Sequence, residues 1–392
     1  MNVVYVITSA GRDAYTAMTR VSAASLRMAN PGVRITVVCD TETDRAIRAA
    51  NDPLPGEVDE WVAGESPPGD AAFRNRFLKT SLRERISGEY LFLDSDTIVR
   101  DDLTPLFQMG GDLAAAPNHS REDFSAQIWE GDRAILREMA WTIGGEFYVN
   151  GGVMWVSESE GARRFYRLWH EKWRSSQIRL QAQGGAGAGR GSPAAKSGVD
   201  LIGASRDQPA LNAALFESGA RCVRMACRYN AQIISNPLSV RDAAVWHYYY
   251  SLQYQAHSRI DGLIRETIRT QRVDGGRLRD LIETQSLWRR PFWSAGSGVH
   301  LVNGAARDLA AVIEARADAD GLVERMRRTD PEFARRTLAK TMVDSYWNGA
   351  FDAHRFARAR LLRRYPFEAF RRPARGCLLH AMMQGGKARL AR

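Results

Sequence analysis

Residues 90–99 read Tyr-Leu-Phe-Leu-Asp-Ser-Asp-Thr-Ile-Val, an apolar run interrupted by two carboxylates, Asp94 and Asp96. The residues before Asp94 have the length and apolarity of a strand buried on both faces, which is typical of the parallel sheets of α/β proteins. Side chains alternate along an extended strand, so both carboxylates are expected to point the same way at its C-terminal end, where open α/β sheets bind ligands. Two oxygen donors there suit Mg²⁺ or Mn²⁺ holding a phosphate, although Asp-x-Asp pairs also occur as turn formers and helix caps.

The first 250 residues alternate strand-like and helix-like patterns. Strands are predicted at 3–7, 34–38, 58–62, 112–117 and 147–157 and in the apolar run from Tyr90 to the carboxylates, and helices at 15–28, 73–86 and 162–178. This rhythm predicts an α/β fold with a mostly parallel mixed sheet of the Rossmann-like kind, flanked by helices. We divide the chain into a sheet domain at 1–257, with a flexible Gly/Ala-rich loop at 181–197, a helical appendage at 258–354 and a basic tail at 355–392.

Composition places the chain among ordinary globular proteins. Its 392 residues are 44% hydrophobic and 26% charged, which indicates neither global disorder nor a membrane protein. The amino terminus has no basic region before its apolar residues and does not resemble a secretory signal. Four scattered cysteines, at 39, 222, 227 and 377, lack the spacing of a zinc site, and we expect them to be reduced, structural and cytosolic.

Polar residues stand at three further places where a strand or helix is predicted to begin or end. Asn150 and two glycines precede an apolar strand, where glycine permits close approach of a ligand to the backbone. Asp207 and Gln208 stand at a helix start, where they could orient hydroxyl groups, or where Ser205 or Asp207 could act only as a cap. His247 lies in an aromatic strand, either as a third cation ligand or as a hydrogen-bonded core histidine.

These segments form an ordered set along the chain. Residues 8–15 follow the first predicted strand, Lys79 lies about one helix before Asp94-Ser95-Asp96, and Asn150-Gly-Gly-Val, Asp207-Gln208-x-x-Leu-Asn212 and His247 come after them. The set resembles the motifs of GT-A glycosyltransferases of the glycogenin and lipopolysaccharide-galactosyltransferase type, family 8 and its relatives in the nucleotide-diphospho-sugar transferase superfamily. The resemblance covers roughly residues 1–250.

The resemblance implies a metal-dependent glycosyltransferase. Such an enzyme moves a sugar from a nucleotide-diphosphate donor, here expected to be a UDP-sugar, to a hydroxyl of a glycan or glycolipid acceptor in surface polysaccharide synthesis. It implies that Mn²⁺ or Mg²⁺ is bound by Asp94, Asp96 and His247. It also assigns residues to the donor. Thr8 and Tyr15 would contact the nucleoside, with Tyr15 against uracil, Asp94 would approach the ribose, and Ser95 is a further donor-binding residue. Arg76 and Lys79 would contact the diphosphate or sugar, and Asn150, Asp207 and Gln208 the transferred sugar, the last two as catalytic residues.

The segment after His247 departs from the family pattern. Family members usually continue with Gly-x-x-Lys-Pro-Trp, whereas this chain continues Tyr-Tyr-Tyr-Ser-Leu-Gln-Tyr, so the usual second phosphate-binding lysine is missing. Arg241 or a residue of the helical appendage is a candidate to replace it. No carboxylate stands out as a general base, so retention or inversion of the anomeric configuration stays open.

Other functions compete for the same motifs. A haloacid-dehalogenase-type phosphatase would use Asp94 as its nucleophile, but its Asp-x-Asp normally ends the first strand and needs a later lysine and an acidic pair. A sugar nucleotidyltransferase would need a glycine-rich Arg-Lys loop after the first strand, which residues 10–12 do not provide. A non-enzymatic basic scaffold that binds membranes or nucleic acid is the third alternative.

The basic charge is confined to the tail. Residues 355–392 hold eleven Lys or Arg and one Glu, a net +10 that equals the net charge of the whole chain. A neutral body argues against a nucleic-acid-binding surface. Because the tail also interleaves aromatic and aliphatic residues with its arginines, we expect it to bind anionic lipid, with the protein cytoplasmic and peripheral on the inner face of the membrane.

Overall fold

The computed structural model describes residues 1–121, 124–145, 147–184, 206–233, 243–248, 259–284, 298–347 and 350–365. It forms two compact units, one of Met1–Tyr250 with Ile260–Ser286 and the other of Ser251–Arg259 with Leu287–Arg392. Arg241, most of the predicted loop at 181–197 and residues 366–392 of the tail lie outside the described residues. The three-part division drawn from the sequence stays a prediction.

A seven-stranded mixed sheet forms the centre of the first unit. Its order is β3-β2-β1-β4-β7-β6-β8, and every pairing is parallel except those of β7, which runs antiparallel to β4 and β6. The strands are β1 (Asn2–Ile7), β2 (Arg34–Asp40), β3 (Glu60–Gly64), β4 (Tyr90–Leu93), β6 (Leu113–Pro117), β7 (Val149–Val156) and β8 (Cys222–Arg224). The mostly parallel mixed sheet predicted from the sequence is therefore confirmed.

A second, three-stranded sheet lies beside the C-terminal end of β4. It consists of β5 (Thr97–Val99), β10 (Val245–His247) and β9 (Ala231–Gln232), with β10 in the middle. The strand predicted before Asp94 is present as β4, but it does not extend through both carboxylates, because the chain leaves the central sheet after Leu93 and pairs Thr97 with His247 instead. Asp94 and Asp96 lie in the bend between the two sheets rather than along one strand.

Helices cover both faces of the central sheet. In the first unit they are α1 (Ala14–Ala29), α2 (Thr41–Ala49), α3 (Leu54–Glu57), α4 (Ala71–Thr80), α5 (Phe124–Gln127), α6 (Glu130–Glu138), α7 (Glu160–Gly184), α8 (Gln208–Ser218), α9 (Arg259–Thr270) and α10 (Gly275–Thr284). Helix α7 extends into the first residues of the segment predicted as a loop.

Alternation along the strands divides the core into two layers. Val3, Tyr5 and Ile7 pack in one apolar cluster with Leu26 of α1, whereas Val4 and Val6 pack in the other. The second cluster continues into α4 and α7 through Leu78, Trp169 and Trp173. Because both faces of these strands are covered, their sequences read as continuous apolar runs.

The second unit is helical, as the sequence predicts for its C-terminal region. Its described helices are α11 (Gly298–Glu314), α12 (Ala319–Thr329), α13 (Pro331–Trp347) and α14 (Phe351–Arg364). They bury Leu309, Phe333, Met342 and Leu361 against one another. Within the described parts of the chain, no helix combines the length and apolarity needed to span a bilayer.

Candidate active site

The central sheet reverses its winding direction between β1 and β4. The chain runs outward from β1 through β2 to β3 and then returns to place β4 on the other side of β1. Loops that leave the carboxyl ends of strands at such a switch point diverge and form a crevice. Here Thr8 follows β1 and Asp94 follows β4, so both lie at this crevice.

A cavity of about 340 Å³ occupies the crevice. Its lining includes the eleven residues that the sequence resemblance assigned to the donor, the cation or the sugar: Thr8, Tyr15, Arg76, Lys79, Asp94, Ser95, Asp96, Asn150, Asp207, Gln208 and His247. These residues come from β1, α1, α4, the bend after β4, β7, α8 and β10. Residues far apart in the sequence therefore meet at one edge of the sheet.

Asp94, Asp96 and His247 form a compact cluster of potential cation ligands. One donor atom from each lies within 4.8 Å of the other two. His247 Nε2 lies 3.4 Å from Asp96 Oδ1 and 3.9 Å from Asp94 Oδ2. The backbone holds this arrangement, because the Tyr248 amide donates to the carbonyl of Asp96 over 3.0 Å and β10 pairs with β5.

The donor set fits a small divalent cation. Two carboxylates and one imidazole are ligands that Mn²⁺ accepts, and adjacent ligands of an octahedral ion with bonds of about 2.1 Å lie about 3 Å apart. The distances from His247 to the two carboxylates approach that spacing. Within the described part of the chain, this is the single group of three His, Cys, Asp or Glu residues with such proximity.

Helix α4 brings two cations to the cavity. Lys79 Nζ lies 3.0 Å from Asp94 Oδ1 and 3.7 Å from Asp207 Oδ2, and Arg76 Nε lies 3.2 Å from Asp207 Oδ1. Burial would lower the pKa of Arg76, but the charges of Asp207, Asp94 and Asp96 raise it above its ordinary value. Both cations are therefore held among carboxylates in the lining of the cavity.

Other residues fix helix α4 itself. The Asp70 carboxylate caps the helix by accepting from the Phe73 amide over 2.8 Å. Arg74 forms an ion pair of 2.8 Å with Asp40, which is buried at the end of β2. The hydroxyl of Thr8 donates to the carbonyl of Ala71 over 2.8 Å, which ties the end of β1 to the first turn of α4.

Asp207 occupies the cap position of helix α8, but its side chain makes no capping hydrogen bond. It faces Arg76 and Lys79 instead. Burial opposes its ionisation, yet these two cations hold the pKa of Asp207 below its usual value. The capping role considered from the sequence is thus not the role that the side chain has, and the carboxylate remains charged inside the cavity.

The next helical turn ties α8 to the sheet. The Asn212 amide oxygen accepts from the Val149 N–H over 2.8 Å, and its nitrogen donates to the Val149 carbonyl over 3.0 Å. These two bonds lock the helix to the start of β7. Gln208, at the first position of α8, accepts a hydrogen bond of 3.1 Å from Asn150 Nδ2.

Gly152 is necessary for the position of His247. A Cβ at residue 152 would overlap the imidazole Cε1 and would come within 2.7 Å of Nδ1 and 2.9 Å of Asn150 Oδ1. The carbonyl of Gly152 also accepts from the Asp94 amide over 2.8 Å. The glycine recognised in the sequence therefore permits close approach of a histidine ring, in addition to any approach of a ligand.

Tyr15 lies at the mouth of the cavity in the first turn of α1. Asp13 caps this helix by accepting from the amides of Tyr15 and Thr16 over 2.9 and 3.1 Å. Tyr15 is 54% exposed although it contributes to the cavity lining. Part of this large aromatic side chain is therefore open to solvent at the site.

Sequence reasoning missed two contributors to this site. Asn230 is fully buried; its Oδ1 accepts from His247 Nδ1 over 2.9 Å, while its nitrogen donates to Asn150 Oδ1 over 2.9 Å. Arg206 lines the cavity, with its Nη1 2.9 Å from Asp132 and its guanidinium 4.7 Å from the centre of the Trp129 ring. Asn150, which was expected to precede a strand, lies inside β7, whereas Asn230 directly precedes β9 and was detectable in principle by that position.

The arrangement does not favour the phosphatase interpretation. Asp94 follows the fourth strand of the chain rather than the first, and its oxygens face Lys79 and His247. A nucleophilic aspartate would need one oxygen directed at phosphorus with a second acid beside it. Instead, Asp94 and Asp96 converge with an imidazole, which suits a cation.

Comparison with known proteins gives matches among solved structures alone, since no family model and no curated protein matches the chain. The galactosyltransferase LgtC, in complex with donor and acceptor sugar analogs, shares 20% identity over 74% of this chain and 98% of its own, with a TM-score of 0.43. The glycosyltransferase GlyE of Streptococcus pneumoniae TIGR4 shares 18% identity over 74% of this chain and 66% of its own, with a TM-score of 0.38. Mouse xyloside xylosyltransferase 1 shares 14% identity over 64% of this chain and 98% of its own, with a TM-score of 0.39. All three are glycosyltransferases by name, the class that the sequence motifs resemble.

Proposed function

We propose that this protein is a metal-dependent glycosyltransferase that uses a nucleotide-diphosphate sugar, with a UDP-sugar as the expected donor. The observation that carries the proposal is the convergence of Asp94, Asp96 and His247 with two cations at the switch-point cavity. A diphosphate needs both a divalent cation and positively charged side chains, and this cavity supplies ligands for the first and contains the second.

The main requirement of this reaction is to stabilise the negative charge of the leaving group. The bond between the anomeric carbon and the phosphate oxygen breaks, a bond from the acceptor oxygen to that carbon forms, and the acceptor hydroxyl loses its proton. A bound divalent cation would neutralise charge on the departing nucleoside diphosphate. Lys79 and Arg76 add two fixed positive charges where that negative charge develops, and such preorganised groups need no rearrangement during the reaction.

The remaining lining residues position the donor. Asp207 is an ionised carboxylate inside the cavity and can accept hydrogen bonds from sugar hydroxyls. Among the described residues, Gln208 Nε2 donates to no protein acceptor, so this amide is available to the sugar. We assign Asp207 and Gln208 to the transferred sugar and Thr8 and Tyr15 to the nucleoside. Asn150 and Ser95 complete the donor contacts proposed from the sequence.

A donor panel tests this proposal directly. Full-length protein is incubated with UDP-, GDP- and ADP-sugars, with Mn²⁺, Mg²⁺ or a chelator, and release of the nucleoside diphosphate and thermal stabilisation are measured. We expect one UDP-sugar to stabilise the protein only with the cation, because a ligand that binds the folded state raises its stability by mass action. Asp96→Asn should abolish both signals.

The matched control is Asp101→Asn. Asp101 is an exposed acid in the same loop region and pairs with Arg228 away from the cavity lining. It should behave as wild type. If no nucleotide stabilises the protein, and it instead hydrolyses phosphomonoesters in a way that Asp94→Asn abolishes, the phosphatase replaces our proposal.

We further propose that the acceptor is a glycan or glycolipid of a surface polysaccharide and that the enzyme works at the inner face of a membrane. The support is the sequence of the tail, where eleven basic residues stand among aromatic and aliphatic ones. Substituting Arg371, Arg372 and Arg375 by Gln in the full chain should reduce binding to phosphatidylglycerol vesicles. Three substitutions by Gln at the exposed residues Arg137, Arg163 and Arg167 serve as the control, and equal binding of both variants contradicts the membrane role.

A further inference from the structure

We infer that Asn230 is a positioning residue that sets the tautomer of His247 and joins the cation ligands to the sugar-facing end of helix α8. A chain of hydrogen-bonded side-chain amides runs from Gln208 and Asn118 through Asn150 and Asn230 to the imidazole of His247. The effect of Asn230 on cation binding rests on the proposed function, whereas its effect on the tautomer does not.

A backbone donor determines the orientation of the Asn150 side-chain amide. The Gly152 N–H lies 2.9 Å from Asn150 Oδ1, and a backbone N–H can only donate. The Asn150 atom at that position is therefore the oxygen. Asn230 places a side-chain atom 2.9 Å from the same oxygen, so the Asn230 atom there is the nitrogen that donates.

The orientation of Asn230 determines the imidazole proton. With Asn230 Nδ2 directed at Asn150, Asn230 Oδ1 is the atom that lies 2.9 Å from His247 Nδ1. Because an amide oxygen only accepts, His247 Nδ1 carries a hydrogen and donates it. In the neutral ring, the lone pair then lies on Nε2, the nitrogen that faces Asp96 and Asp94. This is the tautomer that a metal-binding histidine requires.

A backbone acceptor likewise determines the orientation of the Asn118 side-chain amide. Asn118 Nδ2 donates to the Gln127 carbonyl over 2.6 Å, so Asn118 Oδ1 is the atom that accepts from Asn150 Nδ2 over 3.2 Å. This independently assigns the nitrogen of Asn150 to the side away from Gly152. Asn150 Nδ2 also donates to Gln208 Oε1 over 3.1 Å, which leaves the Gln208 nitrogen for the cavity.

The chain is shielded from water. Asn230 is 0% exposed, Asn118 and His247 are each 2% exposed, and Asn150 is 5% exposed. A buried polar group without a hydrogen-bond partner destabilises the folded protein, because it has lost its hydration. Amide orientations that leave such a group unpaired are therefore disfavoured, and the network has one favoured arrangement. β9 begins at the residue after Asn230 and pairs with β10, so the small sheet sets the distance between Asn230 and His247.

The test uses metal-free, full-length protein labelled with ¹⁵N-histidine. Long-range ¹H–¹⁵N spectra distinguish a hydrogen on Nδ1 from one on Nε2, and His247→Gln identifies the signal. We expect Nδ1–H in wild type, loss of this preference in Asn230→Leu, and its retention in Asn230→Asp, since a carboxylate also accepts from Nδ1. We also expect Mn²⁺ affinity, measured by electron paramagnetic resonance, to fall by about 10- to 100-fold in Asn230→Leu and less in Asn230→Asp.

Asn30→Leu is the matched control. Asn30 is 4% exposed and bonds to Asp101 and Leu103 away from the cavity lining, so its loss should lower stability without changing the tautomer or Mn²⁺ affinity. An Nε2–H ring in the wild type overturns the inference, as does Asn230→Leu with an unchanged spectrum. If Asn230→Leu does not fold, the wild-type and Asn230→Asp spectra still test the inference, because both are expected to show a hydrogen on Nδ1. A wild type with Nδ1–H that binds no Mn²⁺ would contradict the proposed function instead.

Discussion

Lys79 donates a hydrogen bond of 3.0 Å to Asp94, whose other carboxylate oxygen faces His247. The ammonium group and an entering cation therefore share one carboxylate. A donor diphosphate would offer Lys79 an alternative partner and leave Asp94 to the cation. We thus expect metal and nucleotide sugar to strengthen each other's binding.

Lys79→Met should change two measurements in opposite directions. Mn²⁺ alone should bind more tightly, because Asp94 no longer pairs with an ammonium group, whereas kcat should fall by roughly 100- to 1,000-fold with the loss of a charge near the leaving group. Methionine keeps an unbranched apolar side chain but removes the ammonium group, whose nitrogen lies 4.7 Å from the centre of the Phe92 ring. Lys172→Met, which removes an ion pair with Glu217 outside the cavity lining, should alter neither value. Weaker Mn²⁺ binding in Lys79→Met would contradict the shared-carboxylate account.

Gly152→Ala should displace His247, because the added methyl group would overlap the imidazole. We expect a loss of Mn²⁺ affinity of about 10- to 100-fold, as is typical when a ligand is misoriented. Gly56→Ala is the control, since a Cβ there meets no atom within 4 Å. Calorimetric titration with Mn²⁺ measures both variants, and equal affinities would show that the ring does not depend on the space above residue 152.

Tyr15 should contribute to donor binding through its ring rather than its hydroxyl. If a base stacks on this exposed ring, its loss costs about 1–3 kcal/mol, so Tyr15→Ala should raise the KM for the donor by roughly 5- to 150-fold. Tyr15→Phe keeps the ring and should remain near wild type. Steady-state kinetics with the preferred nucleotide sugar separates these cases, and a defect of equal size in both variants would assign the effect to the hydroxyl.

The stability provided by Asp207 should depend on pH in a defined direction. Burial opposes its ionisation, but Lys79 and Arg76 keep its folded-state pKa below the unfolded value of about 3.9. Its ionised form therefore stabilises the protein fully above that pH, and this contribution is lost as pH falls through the folded-state pKa. The melting-temperature difference between wild type and Asp207→Asn should be constant from pH 7 to pH 5 and become smaller below about pH 3.9.

A difference in melting temperature that grows on acidification would instead mean that the pKa of Asp207 is raised in the folded protein. Glu130→Gln provides the reference variant, because Glu130 forms an exposed ion pair with Arg137 outside the cavity lining. Its effect on stability should be small at every pH, as is usual for exposed ion pairs.

The strands and the carboxylate pair were predictable because their signals are local. β1 and β4 read as short apolar runs bounded by polar residues, and Asp94 and Asp96 stand directly after the second run. The switch from one sheet to another after Leu93 was not predictable from that run, because it depends on pairing with β10. The apolar residues on both sides of the bend look like one strand when that partner is unknown.

The role of single polar residues was harder to predict. A capping residue and a cavity carboxylate have the same position relative to a helix start, so the sequence left Asp207 open between them. Arg76 and Lys79, three residues apart on α4, decide the question by facing it. Asn230 was missed because an asparagine before a short strand is common, and its importance arises only from the distant residues Asn150 and His247.

The pairing of β10 with β5 also has a consequence for how the protein is made. Asp94 and Asp96 leave the ribosome long before His247, and closing so large a loop is slow compared with forming local helices. The nascent chain can therefore build β1, β2 and β4 while it still lacks the third ligand. Coordination of Mn²⁺ by all three residues would begin only when β10 docks, so the ion would report assembly of the small sheet during synthesis.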